Sequence, residues 1–166
     1  MKCLMVAASA AALMLAATAA QAASSDDAQI RALEQQFAAG FNAKDADAVM
    51  KCYVPDQSLF VFDVGTPRQH VGAADYRKDF QDFFGEFKGP LKFDLTDLSV
   101  TIDGNIGYGH SIQHFVGKDA KDKPVESTVR VTDVYRKIGG KWLIVLEHVS
   151  VPVDFATGKP DMMSRP

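Results

Sequence analysis

Apolar positions along this chain change their period twice. Ile30, Leu33, Phe37 and Phe41 recur at helical spacing and predict an amphipathic helix of about three turns. Gly40 and Asn42 weaken its end, and Asp45 is placed to cap a second, shorter helix running through Tyr53. Pro55-Asp56 closes that helix, and Ser58–Asp63 reads as a short strand before a Gly65-Thr66-Pro67 turn. Gly72 to Phe87 is helical again. Its Tyr76, Phe80, Phe83, Phe84 and Phe87 form a wide aromatic face whose plainest use is core packing.

From Pro90 the pattern alternates with period two. Leu91–Ile102 predicts one strand, and Asp103-Gly104-Asn105 is a strong hairpin signal leading into Ile106–Val116. A charged loop from Gly117 to Lys123 separates this from Val125–Lys137, and Gly139-Gly140 turns the chain into Trp142–Val151. Pro152 ends the sheet, and Val153–Pro166 reads as an extended tail. The expected order is therefore helix, helix, strand, helix and four antiparallel strands. Such a sheet must bury one face against the helices.

The last strand poses the sharpest functional question. The parity that carries Trp142, Ile144 and Leu146 continues into His148 and Ser150. If that parity lines a cavity, an imidazole and a hydroxyl stand where a ligand would sit. Their neighbours depend on the hairpin. A two- or four-residue loop puts Asp133 on the face of Leu146 and His148, whereas a three-residue loop with a bulge puts Arg130 and Thr132 there.

Composition narrows the setting. Met1-Lys2, an apolar Leu4–Ala17 run and Ala20-Gln21-Ala22 have the layout of a cleaved leader over residues 1–22, too short for a membrane span. The expectation is a periplasmic or secreted protein with one domain over 23–152 and no membrane contact after cleavage. Lys and Arg number 18 against 21 Asp and Glu, without a basic stripe, which argues against nucleic acid as a partner. Beyond the leader only Cys52 remains, so an intrachain disulfide is excluded, and its helical position suits a small buried hydrophobe.

Several short stretches carry a resemblance: Phe41-Asn42-Ala43-Lys44-Asp45-Ala46-Asp47, Tyr53-Val54-Pro55-Asp56, Val61-Phe62-Asp63, Gly72-Ala73-Ala74 and Gly140-Lys141-Trp142-Leu143-Ile144. In this order they resemble the ketosteroid isomerase-like (NTF2-like, SnoaL-like) superfamily over about Ile30 to Ser150. The resemblance implies an α+β cone, three N-terminal helices packed on a curved, mainly antiparallel sheet. It places Asp63 where the isomerases carry a carboxylate base, which an apolar setting equips to take a carbon-bound proton. An Asp capping the turn after the strand fits the same spacing. The first-helix position where the isomerases have a tyrosine donor is Phe37, and Asp133 matches their sheet aspartic acid. Related epoxide hydrolases and polyketide cyclases place Arg, Asp or His on the last two strands, which brings in Arg130, Thr132 and His148.

Tyr53, Phe60, Trp142 and Ser150 complete the expected pocket lining, with His110 and His114 as further candidates. The two histidines share a strand parity but lie about 13 Å apart along a strand, too far to share one ion, so no metal is expected. No cofactor is expected either: Gly107-Tyr108-Gly109 lacks the third glycine and the strand-to-helix setting of a dinucleotide fingerprint. The functional expectation is a pocket for a small hydrophobic, carbonyl-type compound, with acid–base isomerase, cyclase or hydrolase chemistry. The alternative is a non-catalytic module that binds a ligand or forms a homodimer through its exposed sheet face.

Overall fold

The computed structural model describes residues 25–164; the leader expected over residues 1–22 lies outside them. Helix α1 spans 25–43 and buries the predicted Ile30, Leu33, Phe37 and Phe41. Asp45 caps α2 (Ala46–Met50), its carboxylate accepting from the Ala48 amide at 2.9 Å. Strands β1 (Phe60–Phe62) and β2 (His70–Val71) form a short ribbon ahead of α3 (Ala73–Gly85). The third helix ends before Phe87, which opens the sheet instead. Strands β3 (Phe87–Asp103), β4 (Ile106–Asp119), β5 (Pro124–Ile138) and β6 (Lys141–Ser150) follow as an antiparallel meander. No helix among the described residues is long and apolar enough to cross a membrane.

The six-stranded sheet runs β2-β1-β6-β5-β4-β3, and β1 lies parallel to β6. One face is covered by the helices. There Phe37 and Phe41 of α1 meet Phe80 of α3 and Phe93 of β3, with ring centroids 4.5–6.5 Å apart. On β4 the inward parity is Gly107, Gly109, Ser111, Gln113, Phe115 and Gly117. Gly109 is required by a neighbour: a Cβ there would stand 3.1 Å from the Tyr135 ring and 2.9 Å from the Ser99 carbonyl oxygen. The missing side chain is what leaves room for the Tyr135 phenol against β4.

Two features depart from the predicted plan. Beyond Pro152 the chain folds into a ribbon of β7 (Val153–Asp154) and β8 (Lys159–Pro160) rather than a single extended arm. Asp154 stabilises its turn by accepting from the Ala156 and Thr157 amides, and the Thr128 amide donates to the Met162 carbonyl at 2.7 Å. The second departure is in β6. Gly139-Gly140 is a two-residue loop with both φ angles positive, the backbone of a type I′ hairpin. Pairing then runs Tyr135 to Ile144 but Val134 to Leu146, so Val145 has no partner and forms a bulge.

That bulge separates two environments. Before it, β6 is held by the chain following α2, with Val54 N–H donating to Ile144 O and Ile144 N–H to Cys52 O, each at 2.9 Å. After it, Leu146, Glu147 and His148 pair with Phe60, Val61 and Phe62 of β1. One extra residue reverses the parity: Trp142 and Ile144 point inward, and so do Glu147 and Val149 rather than Leu146, His148 and Ser150.

Candidate functional site

A cavity of about 340 Å³ opens between α1, α3 and the concave sheet face. Phe37, Phe80, Phe93 and Val129 line its apolar interior, and Val64, Gly65 and Thr66 after β1 border its exposed rim. Its polar groups are Asp63, His70, Tyr76, Asp79, Gln113 and Glu147, with Asp82 and Glu86 at the rim.

Asp63 shares the inward parity of Val61 and reaches the cavity, as expected from its place at the end of β1. Its Oδ2 lies 3.2 Å from the Tyr76 hydroxyl, and its other oxygen accepts from the Val64 amide. Tyr76 donates to Glu147 Oε1 at 2.7 Å, and Tyr53 donates to Oε2 at 2.7 Å. Glu147, only 3% exposed, is thus held by one phenol from α3 and one from the segment after α2. Tyr76 joins it to Asp63.

Behind Glu147 the acid cluster continues into the protein. Asp133 faces it across the β5–β6 ladder and is 2% exposed. As a carboxylate Asp133 would leave Oδ1 buried without a donor; as an acid it donates to Glu147. Burial first, then the charges of Glu147 and Glu34, hold Asp133 well above the usual carboxylate range. Glu34 on α1 accepts from the Tyr135 hydroxyl at 2.7 Å. Burial pushes Glu34 up to about 7 against the help of that phenol. Glu147 also rises to about 7, because its burial outweighs the Tyr76 and Tyr53 hydrogen bonds. None of the three takes part in an ion pair among the described residues. Three carboxyls without a cation cannot all ionise in a low-dielectric interior, so the cluster retains protons near neutral pH.

His70 of β2 forms a second polar corner. Its Nδ1 lies 3.1 Å from Asp75 Oδ2 and its Nε2 3.6 Å from Asp79 Oδ1. Asp79 is raised from the usual range by burial, then by Asp63, Asp75 and Asp82, while His70 opposes the rise.

The other expected site residues are redistributed. Asp133 and Tyr53 face inward but sit behind Glu147 and do not line the cavity. His148 is corrected to the outer sheet face, where it is exposed, pairs with Thr132 and packs on the Phe62 ring at 5.6 Å. Arg130, paired with Ser150, and Thr132 are likewise exposed there, on the β5 parity opposite to the inward Val131, Asp133 and Tyr135. The Phe60 ring meets that of Phe62 edge-on, with centroids 4.9 Å apart, on that same face. His110 and His114 occupy the outward parity of β4, and His114 contacts Glu126 at 2.9 Å. Trp142 is buried away from the cavity, with the Lys137 ammonium 5.9 Å from its ring. The Cys52 thiol, pushed up to about 12 by burial and by Glu34 and Glu147, is no nucleophile; its sulfur lies 3.6 Å from the Leu33 carbonyl. Among the described residues no group of three or more His, Cys, Asp or Glu has the arrangement of a metal site.

Sequence reasoning missed Glu147, Tyr76, His70, Asp79, Gln113 and Glu34. Glu147 is the only acid in the Trp142–Ser150 run, a signal in itself, but strict alternation directs it outward. Tyr76 was hidden by its place in an aromatic stripe.

A profile of the SnoaL-like domain matches residues 30–154. Among solved structures, an NTF2-like protein of unknown function from Pseudomonas putida KT2440 is 25% identical. It covers 86% of this chain and 98% of its own, with a TM-score of 0.76. An NTF2-like superfamily protein from Salmonella enterica serovar Typhimurium LT2 is 15% identical over 84% of this chain and 99% of its own, at a TM-score of 0.73. A protein provisionally named a scytalone dehydratase, from Novosphingobium aromaticivorans DSM 12444, is 12% identical over 85% and 95%, at 0.69. No curated protein matches the sequence.

The acid cluster predicts how stability varies with pH. Glu34 and Glu147 rise from an ordinary 4.5 to about 7, so between those values the folded chain holds protons that the unfolded chain has released. Their contribution is full below pH 4.5 and is lost as pH rises through 7, at most on the order of 3 kcal/mol per group. Urea midpoints should therefore fall between pH 5 and pH 8, and Glu147→Gln should flatten the slope. A midpoint that stays level or rises over that interval would contradict a protonated cluster.

Proposed function

The chain belongs to the SnoaL-like domain family of the NTF2-like superfamily, and from that premise we propose that its cavity binds a small molecule with an apolar body and moves protons on it. The observation that carries this reading is the Asp63–Tyr76–Glu147 connection, two carboxyls of different environment joined by one phenol at the cavity wall. Asp63, partly exposed and close to the rim, acts as the base that takes a proton from carbon. Glu147, buried and retaining its proton near neutral pH, acts as the acid toward the oxygen on which charge develops. Tyr76 touches both groups and passes protons between them. His148, on the outer sheet face, takes no part in this relay.

Phe37 stands on the cavity wall without a hydrogen-bond donor. Donors come instead from α3 and from the sheet, so the pocket remains able to stabilise an oxyanion, with different residues from those the ketosteroid isomerases use. Isomerisation, cyclisation and dehydration all begin with such a proton abstraction beside a carbonyl. The name of the Novosphingobium relative points the same way.

The rival reading is a carrier that binds without turnover. A panel of cyclic and aryl ketones in D₂O, followed by proton NMR, separates the two. The expected result is protein-dependent exchange of the hydrogen beside the carbonyl, lost by about 100-fold or more in Asp63→Asn and in Glu147→Gln. Ketones that bind at the cavity without exchange would establish the carrier instead.

We also propose that the outer sheet face pairs two copies of the chain. Phe62 is 39% and Tyr108 56% exposed there, beside half-buried Ile112, Val134 and Leu146. Sedimentation equilibrium should give a dimer for the wild type and a monomer for Leu146→Arg. A monomeric wild type at micromolar concentration would refute it.

A further inference from the structure

The charge around the cavity is one-sided. Asp63, Asp79, Asp82 and Glu86 reach it beside the proton-retaining Glu147, and among the described residues no lysine or arginine lines it. Among the described residues His70 is its one basic side chain, and it is already placed between Asp75 and Asp79. Lys78 is paired with Asp82 from the solvent side of α3. Among the described residues neither Asp63 nor Glu86 has a cationic partner. Aromatic rings, among them Phe41, Phe80, Phe83 and Phe115, make up much of the remaining wall.

A second observation, independent of the acids, points to a ligand. Gln113 lines the cavity on the inward parity of β4, opposite Val129, and is 7% exposed. Its side-chain amide has no hydrogen-bond partner among the described residues. Its polar atoms are open to the cavity rather than sealed in the core, so a polar atom of a bound molecule can pair with them. Carboxylates at the rim and an unpaired amide at the buried end give the cavity two polar stations separated by apolar wall.

Resting on the reading of this cavity as a small-molecule site, we infer that its ligand is a protonated amine with an aromatic-sized apolar body. The ammonium is held at the rim by Asp79 and Glu86, and the apolar body lies among the phenylalanines. An ammonium gains in both places, from carboxylates within a partly desolvated opening and from aromatic ring faces. Asp79, crowded by Asp63, Asp75 and Asp82, is relieved by an incoming positive charge. A carboxylate head group at the same place on the rim meets repulsion from Asp79 and Glu86. The Gln113 amide, donor and acceptor at once, receives a polar group at the far end of the body.

Three probes with one body and different head groups test this by calorimetry on the wild-type protein: 2-(1-naphthyl)ethylamine, 2-(1-naphthyl)ethanol and 1-naphthylacetate. The amine should bind at least tenfold more tightly than the alcohol, and the acetate should bind more weakly than either. In the double variant Asp79→Asn, Glu86→Gln the amine should lose its tenfold advantage. An alcohol or acetate that binds as tightly as the amine would overturn the inference while leaving the small-molecule site intact. An advantage that survives in the double variant would also overturn it, since the attraction would then be that of an acidic protein in general. Failure of all three probes to bind would count against the small-molecule reading, and the inference would fall with it.

Discussion

Val145 has no partner in the β5–β6 ladder, and that one extra residue sets the direction of every side chain from Leu146 to Ser150. Without it the strand would carry His148 into the interior and leave Glu147 in solvent. With it, Glu147 enters the cavity between two phenols while the imidazole stands on the outer face beside Phe62. The position of the bulge follows from what β6 must contact. Its first half closes over the segment after α2, its second half lies parallel to β1, and the two supports are not in one alternating register. A bulge next to a polar site re-aims a side chain at small cost to the ladder.

Turning Glu147 inward brings a third carboxyl beside Asp133 and Glu34, and burial of that trio requires compensation. It comes from phenols rather than cations: Tyr135 for Glu34, Tyr53 and Tyr76 for Glu147. Phenols supply hydrogen bonds without charge, so protons remain on the acids instead of being displaced by a lysine or arginine. Room for the Tyr135 ring depends in turn on Gly109, which has no side chain where the ring meets β4. The same arrangement that lowers the stability of the fold at alkaline pH keeps an acid available at the cavity wall near neutral pH.

The architecture was legible in the sequence because it is written in periodicity. The 3.6-residue recurrence of Ile30, Leu33, Phe37 and Phe41, the aromatic stripe of α3 and the alternation beyond Pro90 each specify an element by what it must bury. The position of Asp63 at the cavity was legible too, since the strand before it is short and regular. The rest of the site was not. A bulge leaves no mark in a hydrophobic pattern, and by strict alternation His148 rather than Glu147 faces inward. Arg130 and Thr132 face outward by the alternation of β5 itself, which the open choice of hairpin register hid in the sequence. Tyr76 occupies a position that core packing alone would explain, and its hydroxyl matters only because a residue 71 positions away points at it. His70 belongs to a two-residue strand too short to register as a period.

The most direct measurement is a carbon-13 NMR titration of the side-chain carboxyls in glutamate-labelled protein, with Glu147→Gln to assign the resonance. The account predicts that the Glu147 carboxyl titrates with a midpoint near 7, far above an ordinary glutamate. A Glu147 resonance that titrates near 4.5 with the exposed glutamates would contradict it. The residue would then be a solvated surface acid, and neither the inward turn of β6 nor the acid it supplies to the cavity would stand.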